Sequence, residues 1–349
     1  MKELKSISWN ISESEYRQDK ALSYSTLAKY VKEGFKALRD TTQSDTPSLR
    51  FGSLIDCLIT EPETFADRFY ISEHEVPSSA IANIIEKLYA KYGTYTNDIY
   101  SISRANVLNV IDDAGYYPNW KEDTRINKVI IEGGNYYTDL CLRGDKTVIS
   151  EQDFVVAKKC VDELQSNPYT APYIINSPEK EHCYQLKFKL IGKYNVRCMF
   201  DKIIVDHTNK TIQPLDLKTS SLPEEEFVTA FWKWKYYIQA SLYTYILQQV
   251  CNSDDYFKDF TILPFKFVVI CKTTLCPLVW EFNDEEDFYL NKNIKHWTQL
   301  HDEVKYYLDN PELKYSKETI DNNGLRKINI LSGIDEPEEF KFNENESTI

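Results

Sequence analysis

The chain has 349 residues, 42% apolar and 27% charged, a composition typical of a folded protein large enough to build a sizeable core. Its formal net charge of −13 excludes a simple basic coat for nucleic acid, although a local positive groove on an acidic body is enough to track a phosphate backbone. The start lacks an apolar signal-peptide stretch and no run approaches membrane-spanning length, so a cytoplasmic location without a membrane partner is expected.

Ser23 to Arg39 reads as an amphipathic helix capped by Ser23 or Ser25, with Leu27, Val31, Phe35 and Leu38 as its apolar stripe. Lys29, Lys32, Lys36 and Arg39 recur at helical spacing on a neighbouring face, which is either a solvated surface or a track for DNA phosphates. A second helix spans Leu49 to Ile59, beginning near Gly52-Ser53, and is apolar nearly all round, so it should be buried. Asp56 sits inside that run. A buried carboxylate without a partner is expensive, so Asp56 is expected to be paired or to bind a metal.

Residues 77–140 read as a helical stretch, Ile81 to Tyr92, followed by irregular tyrosine-rich sequence that includes Tyr116-Tyr-Pro-Asn-Trp120. Ser150-Glu-Gln-Asp153 has the form of a helix N-terminus and opens a helix to about Leu164. Strands are expected at about 181–190, 195–206 and 211–218. Ser221-Leu-Pro-Glu224 predicts a capping box, with a helical region running from Glu224 to about Val250. Strands at 264–271 and 278–282 then precede a helix over about 284–308 and an acidic tail, 331–349. This is an α/β layout, a central mixed sheet flanked by helices, with 1–330 as one domain carrying an insertion at about 77–140. The eight cysteines lack a C-x-x-C pair and read as reduced packing residues. Cys271 and Cys276 have the wrong spacing and too few partners for zinc, and no iron–sulfur cluster is expected.

The most informative stretch is Asp216-Leu217-Lys218. In a strand its acid and lysine point to the same face. Folding 196–206 onto 211–218 around His207-Thr-Asn-Lys210 centres the hairpin between Thr208 and Asn209, which sets Asp201 opposite Asp216. Like charges opposed on a sheet destabilise it, and a hard divalent cation removes the conflict. The competing reading is an exposed acid pair with Lys218 as a salt-bridge neighbour.

Four segments together resemble one family. Phe51-Gly-Ser-Leu-Ile-Asp-Cys-Leu-Ile-Thr-Glu-Pro-Glu-Thr-Phe65, Arg197-Cys-Met-Phe-Asp201, Asp216-Leu-Lys218 and Gln239-Ala-Ser-Leu-Tyr243 resemble, in order, motifs of RecE-like exonucleases (exodeoxyribonuclease VIII type) of the PD-(D/E)XK nuclease superfamily. The likeness runs from about Leu22 to Trp280. It implies a PD-(D/E)XK nuclease fold and a metal-dependent exodeoxyribonuclease that digests linear double-stranded DNA from its ends, 5′ to 3′, leaving 3′ overhangs for recombination or repair. A single-strand annealing protein is the implied partner, and by analogy the chain forms a homo-oligomer. Asp56, Asp201 and Asp216, with the carbonyl of Leu217, are the implied ligands of Mg²⁺ or Mn²⁺, and Lys218 the residue that positions the attacking water. Glu181 is a further implied acid, with Glu179 competing for its role. Gln239 and Tyr243 share a helix face and are implied to support the site or contact DNA. Phe231-Trp-Lys-Trp-Lys-Tyr-Tyr237, with Trp232 and Lys233, interleaves aromatic and basic residues that either stack on or clamp DNA ends, or pack in the ordinary way with the lysines outside. Two departures stand out: Asp56 occupies the place where the family usually carries histidine, and Phe200 precedes Asp201 where the pattern has proline. A structure-specific or restriction-type endonuclease of the same fold, or a silent binding relative, is the alternative.

Overall fold

A computed structural model of the chain describes residues 1–40, 46–72, 74, 76–284 and 294–325. The expected acidic tail lies outside these residues, as do positions 285–293 of the helix expected from 284.

Short helix α1 (Glu13–Gln18) and α2 (Tyr24–Glu33) open the chain. The helix expected to reach Arg39 stops early because Gly34 adopts φ +80°, a left-handed conformation that glycine accepts without penalty, and its N–H closes on Tyr30 O at 2.9 Å. Residues Phe35–Arg39 continue only as a 3₁₀ turn. Helix α3 (Pro47–Thr60) follows, begun by Thr46, whose Oγ1 accepts from Leu49 N. It buries Phe51, Leu54, Ile55 and Cys57. Helix α4 (Phe65–Arg68) and strand β1 (Phe69–Ser72) lead into the insertion.

That insertion is helical nearly throughout, not irregular: α5 (Ser79–Tyr92), α6 (Arg104–Asp113) and α7 (Glu122–Leu142) enclose their own apolar cluster, including Ile81, Ile85, Val107, Ile111, Val129 and Tyr137. The tyrosines and Trp120 at 116–120 occupy only the loop between α6 and α7. Strand β2 (Thr147–Ser150) returns the chain to the body by pairing in parallel with β1. Arg50 of α3 ties body to lobe, donating to Glu86 at 3.0 Å and to Tyr136 Oη at 3.1 Å.

Helix α8 (Glu151–Ser166) starts at Ser150, whose Oγ accepts from Asp153 N as its sequence form predicts. After the single turn α9 (Ala171–Ile174) comes the central sheet: β3 (Glu181–Leu190), β4 (Val196–Asp206), β5 (Thr211–Ser220), β6 (Thr261–Ile262), β7 (Phe265–Cys271) and β8 (Pro277–Phe282). The order is β3-β4-β5-β7-β8, with β6 on the start of β5. Strands β3, β4 and β5 meander antiparallel, β5 and β7 run parallel, and β7 and β8 are antiparallel. The parallel step requires a crossover, and α10 (Phe227–Trp234) with α11 (Tyr236–Asn252) makes it. The single helix expected from Glu224 is broken by Lys235, which adopts φ +61°, and the expected capping box does not form: the turn at Glu224 is preceded by Pro223 as its N-cap, with no side-chain cap, and Ser220 Oγ accepts from Leu222 N. Helix α12 (Trp297–Asp309) completes the body.

Helices cover both faces of the sheet. On one, α11 joins Phe188, Phe200, Phe265 and Phe267, all essentially sequestered and each worth roughly 2–3 kcal/mol of burial. On the other, α3 and α8 pack over Ile204, Leu215 and Val268. Side chains of a regular strand alternate between faces, but Cys183, Leu186 and Phe188 of β3 all join the first core, as do Cys198, Phe200, Ile203 and Val205 of β4. Both strands therefore slip phase by one residue at the same level, around Gln185 and Asp201. Gln185 carries the distortion, with φ +52°.

Close packing of the lobe gives a direct test. A Cβ on Gly133 of α7 would lie 2.5 Å from Ile85 Cδ1 of α5. Gly133→Ala is expected to destabilise the lobe by about 1–3 kcal/mol. Hydrogen exchange should show lost protection in α5 and α7 while β4 and β5 stay protected; unchanged protection in α7 would refute this packing.

Candidate active site

Strands β4 and β5 pair from Asp206↔Thr211 to Lys202↔Leu215. One step further along the same register Asp201 comes opposite Asp216, as the hairpin spacing requires, and there the ladder ends. Instead of continuing the ladder onto the backbone of Phe200, Leu217 N–H donates to Asp201 Oδ2 at 2.9 Å. Asp216, 3% exposed, accepts from Gln239 Nε2 of α11 at 2.5 Å on Oδ1. Lys218 Nζ forms an ion pair with Asp216 Oδ2 and lies 4.6 Å from the Tyr236 ring centroid. On the opposite side of the cleft α3 presents Asp56, whose Oδ2 accepts from Gln185 Nε2 at 2.9 Å.

These groups line one cavity of about 850 Å³. Its floor is Asp56, Asp201, Asp216, Lys218, Gln239 and Tyr243, and its walls include Arg17, Arg68, Lys187 and Trp234. Tyr243 supports the floor by packing edge-on against Phe200, ring centroids 5.1 Å apart.

The carboxylates are under strain from one another. Burial pushes the Asp56 carboxyl up to about 7, with Arg68 opposing the rise and Asp216 adding to it. Asp201 is raised well above the ordinary carboxylate range by burial, then by Asp216 and Asp56. For Lys218 burial alone would favour the neutral amine, but Asp216, Tyr236 and Asp201 outweigh it and keep the ammonium more basic than usual. Asp56 Oδ1 and Gln239 Oε1 are buried acceptors without a donor. Concentrated, partly uncompensated oxygen donors of this kind fit a hard divalent cation. As placed, no group of three His, Cys, Asp or Glu side chains among the described residues forms a complete metal cage. The donor chemistry fits such a cation.

Other expected residues fall elsewhere. Glu181 is at the far end of β3, where it accepts from Leu4 N at 2.9 Å and bonds His207 Nε2 at 2.8 Å. It anchors the N-terminal turn to the hairpin and is no part of this cavity. Glu179 precedes β3 and is also absent from the lining. The basic face of 29–39 is interrupted by Gly34: Lys29 donates to Asp40 O, Arg39 to Leu313 O, and Lys36 lies exposed on the 3₁₀ turn. Lys32 instead reaches the Trp234 ring, 4.3 Å from its centroid. Trp232 packs on Phe231 and Tyr237, while Lys233 is exposed. Gln185, Arg17, Arg68 and Lys187 are cavity residues that sequence reasoning passed over, while Trp234 and Tyr236 belong to the aromatic and basic stretch 231–237 singled out above. The phase slip in β4, legible as the 2-3-2 spacing of Cys198, Phe200, Ile203 and Val205, was the available signal for Gln185's level.

A mixed sheet with helices on both faces, an aspartate on one strand just past the end of its ladder and an Asp-x-Lys triplet on the next strand define a PD-(D/E)XK, nuclease-type fold. The chain belongs to the family described as "PDDEXK-like domain of unknown function (DUF3799)", whose model matches residues 23–276, well over half its length. No curated protein matches it. No helix among the described residues is long and apolar enough to cross a membrane.

The carboxyl shifts carry a stability consequence. A group that holds its proton more tightly when folded contributes stability that is full below its unfolded pKa of about 4 and is lost as pH rises through the folded value. In metal-free protein Asp56 therefore lowers stability between about pH 4 and 7. Asp56→Asn is expected to remove this component, gaining on the order of 2 kcal/mol over wild type at about pH 8 and little at about pH 4. Denaturant melts of both proteins across that range check it; parallel curves would contradict the burial of Asp56.

Proposed function

We propose that the protein is a metal-dependent deoxyribonuclease that hydrolyses linear double-stranded DNA from its ends, 5′ to 3′, leaving 3′ single strands for recombination or repair. The observation that carries the hydrolytic reading is the Asp201–Asp216 opposition at the end of the β4–β5 ladder, with Lys218 on Asp216 in the same cavity. Asp201 and Asp216, with Asp56 from α3, would hold Mg²⁺ or Mn²⁺; Leu217's observed contact is through its N–H, so its carbonyl is a further candidate ligand. When bound, such a cation supplies a Lewis acid for the phosphoryl oxygen and lowers the pKa of water.

The chain's own residues do the positioning. Lys218, kept charged by Asp216, stands ready to orient the attacking water and to offset the negative charge that develops on the phosphate. Gln239 fixes one oxygen of Asp216 and Gln185 one oxygen of Asp56, which orients both carboxylates. The end-directed, 5′-to-3′ reading rests on the order of the four motifs. A homo-oligomer encircling the duplex and a single-strand annealing partner belong to that same reading.

Linear duplex labelled at either 5′ or 3′ ends, incubated with Mg²⁺, is expected to be degraded by wild type and at least a hundredfold more slowly by Lys218→Ala, a loss of about 2.7 kcal/mol of transition-state stabilisation. EDTA should stop the reaction. Metal-independent degradation equal in both proteins would refute the mechanism, and cleavage of closed circles would refute the exonuclease reading in favour of an endonuclease.

A further inference from the structure

We propose that the cavity mouth beside Lys218 is a subsite for one unpaired nucleobase, stacked on Trp234, so that the strand to be cut reaches the carboxylates single-stranded at that nucleotide. The proposal rests on the nuclease reading above and names the form of substrate the site takes.

Helix α10 ends with two tryptophans that have opposite fates. Trp232 packs against Phe231 and Tyr237, ring centroids 5.6 and 5.8 Å away. Trp234 is 42% exposed and lines the cavity. The difference is made by Lys235, whose left-handed backbone, unfavourable in a residue with a Cβ, ends α10 there. Tyr24 Oη holds the turn, donating to Trp234 O at 2.6 Å. Residue 236 then turns inward: its ring centroid lies 4.6 Å from Lys218 Nζ and 6.3 Å from the Tyr24 ring. Two residues of chain thus connect an exposed indole to the lysine that touches Asp216.

The indole is already a cation platform. Lys32 Nζ is 4.3 Å and Lys233 Nζ 5.5 Å from the Trp234 ring. A ring that attracts two ammonium groups also accepts the π-face of any base, and either lysine, once displaced, can pair with a flanking phosphate. A base inside a duplex has both faces covered by its neighbours and a terminal pair leaves only one face open, so the base that enters the cavity mouth and lies on the indole is an unpaired one in this proposal, which the abasic series below tests. The aromatic and basic residues that alternate through 231–237 therefore divide their work: Trp232 builds the core, and Trp234 faces the cavity.

The test is the affinity of wild type, Trp234→Ala and Trp234→Phe for a fluorescein-labelled duplex with a short single-stranded terminus, measured by anisotropy in EDTA. Stacking is expected to make Trp234→Ala about ten- to a hundredfold weaker, with Trp234→Phe retaining most of the affinity. An abasic position is then moved along the single-stranded terminus. At one position wild type should fall to the level of Trp234→Ala, while Trp234→Ala loses nothing further. Equal affinities, or equal abasic losses in both proteins, would overturn the stack, and if wild type still degrades the duplex with Mg²⁺ the nuclease reading survives that failure. Wild type that neither binds nor degrades DNA would remove both.

Discussion

Two carboxylates face each other at the point where the β4–β5 ladder ends, and much of the surrounding structure answers that opposition. Their mutual repulsion in a poorly solvated site is relieved piecemeal: Leu217 N–H serves Asp201, Gln239 and Lys218 serve Asp216, and Gln185 serves Asp56. These partners come from three elements of the fold. Strand β5 supplies the lysine, α11 crosses the sheet to supply the amide, and β3 bends its backbone to supply the second amide. A cleft assembled only for stability would bury apolar groups here, because well-packed hydrophobic residues often match or exceed buried charges in stability.

The arrangement also separates fixed groups from adjustable ones. Asp201 and Asp216 belong to adjacent strands whose register is pinned by the hairpin, including the Asn209 N–H to Asp206 Oδ1 bond in its loop. Asp56 belongs to a helix on one face of the sheet, and Tyr243 and Gln239 to a helix on the other. The site is therefore a seam between three layers, with the sheet as its rigid member.

The parts legible in the sequence were those governed by short periods and local caps. A four-residue loop between two runs of alternating side chains left one register open, and that register set Asp201 against Asp216. Ser150 declared its helix through a bond that spans three residues. Three of the failures share one physical source, single backbone residues that override the pattern around them. Gly34 and Lys235 each cut a continuous helical periodicity by entering the left-handed region, and Gln185 shifted the phase of β3 where its apolar pattern alone showed no break. The insertion failed differently: its tyrosines look irregular in sequence because several of them, such as Tyr136 and Tyr137, fill the lobe's own core. Glu181 was matched to a metal role by distance along the chain, which says nothing of which end of a ten-residue strand faces the cleft.

Helix α3 carries Arg50 against the lobe and Asp56 in the cleft, six residues and about 9 Å apart along one rigid rod. The insertion and the active site therefore share one helix: what looks in sequence like an appendage spliced between a strand and its partner is hydrogen-bonded to the same helix that carries the third carboxylate.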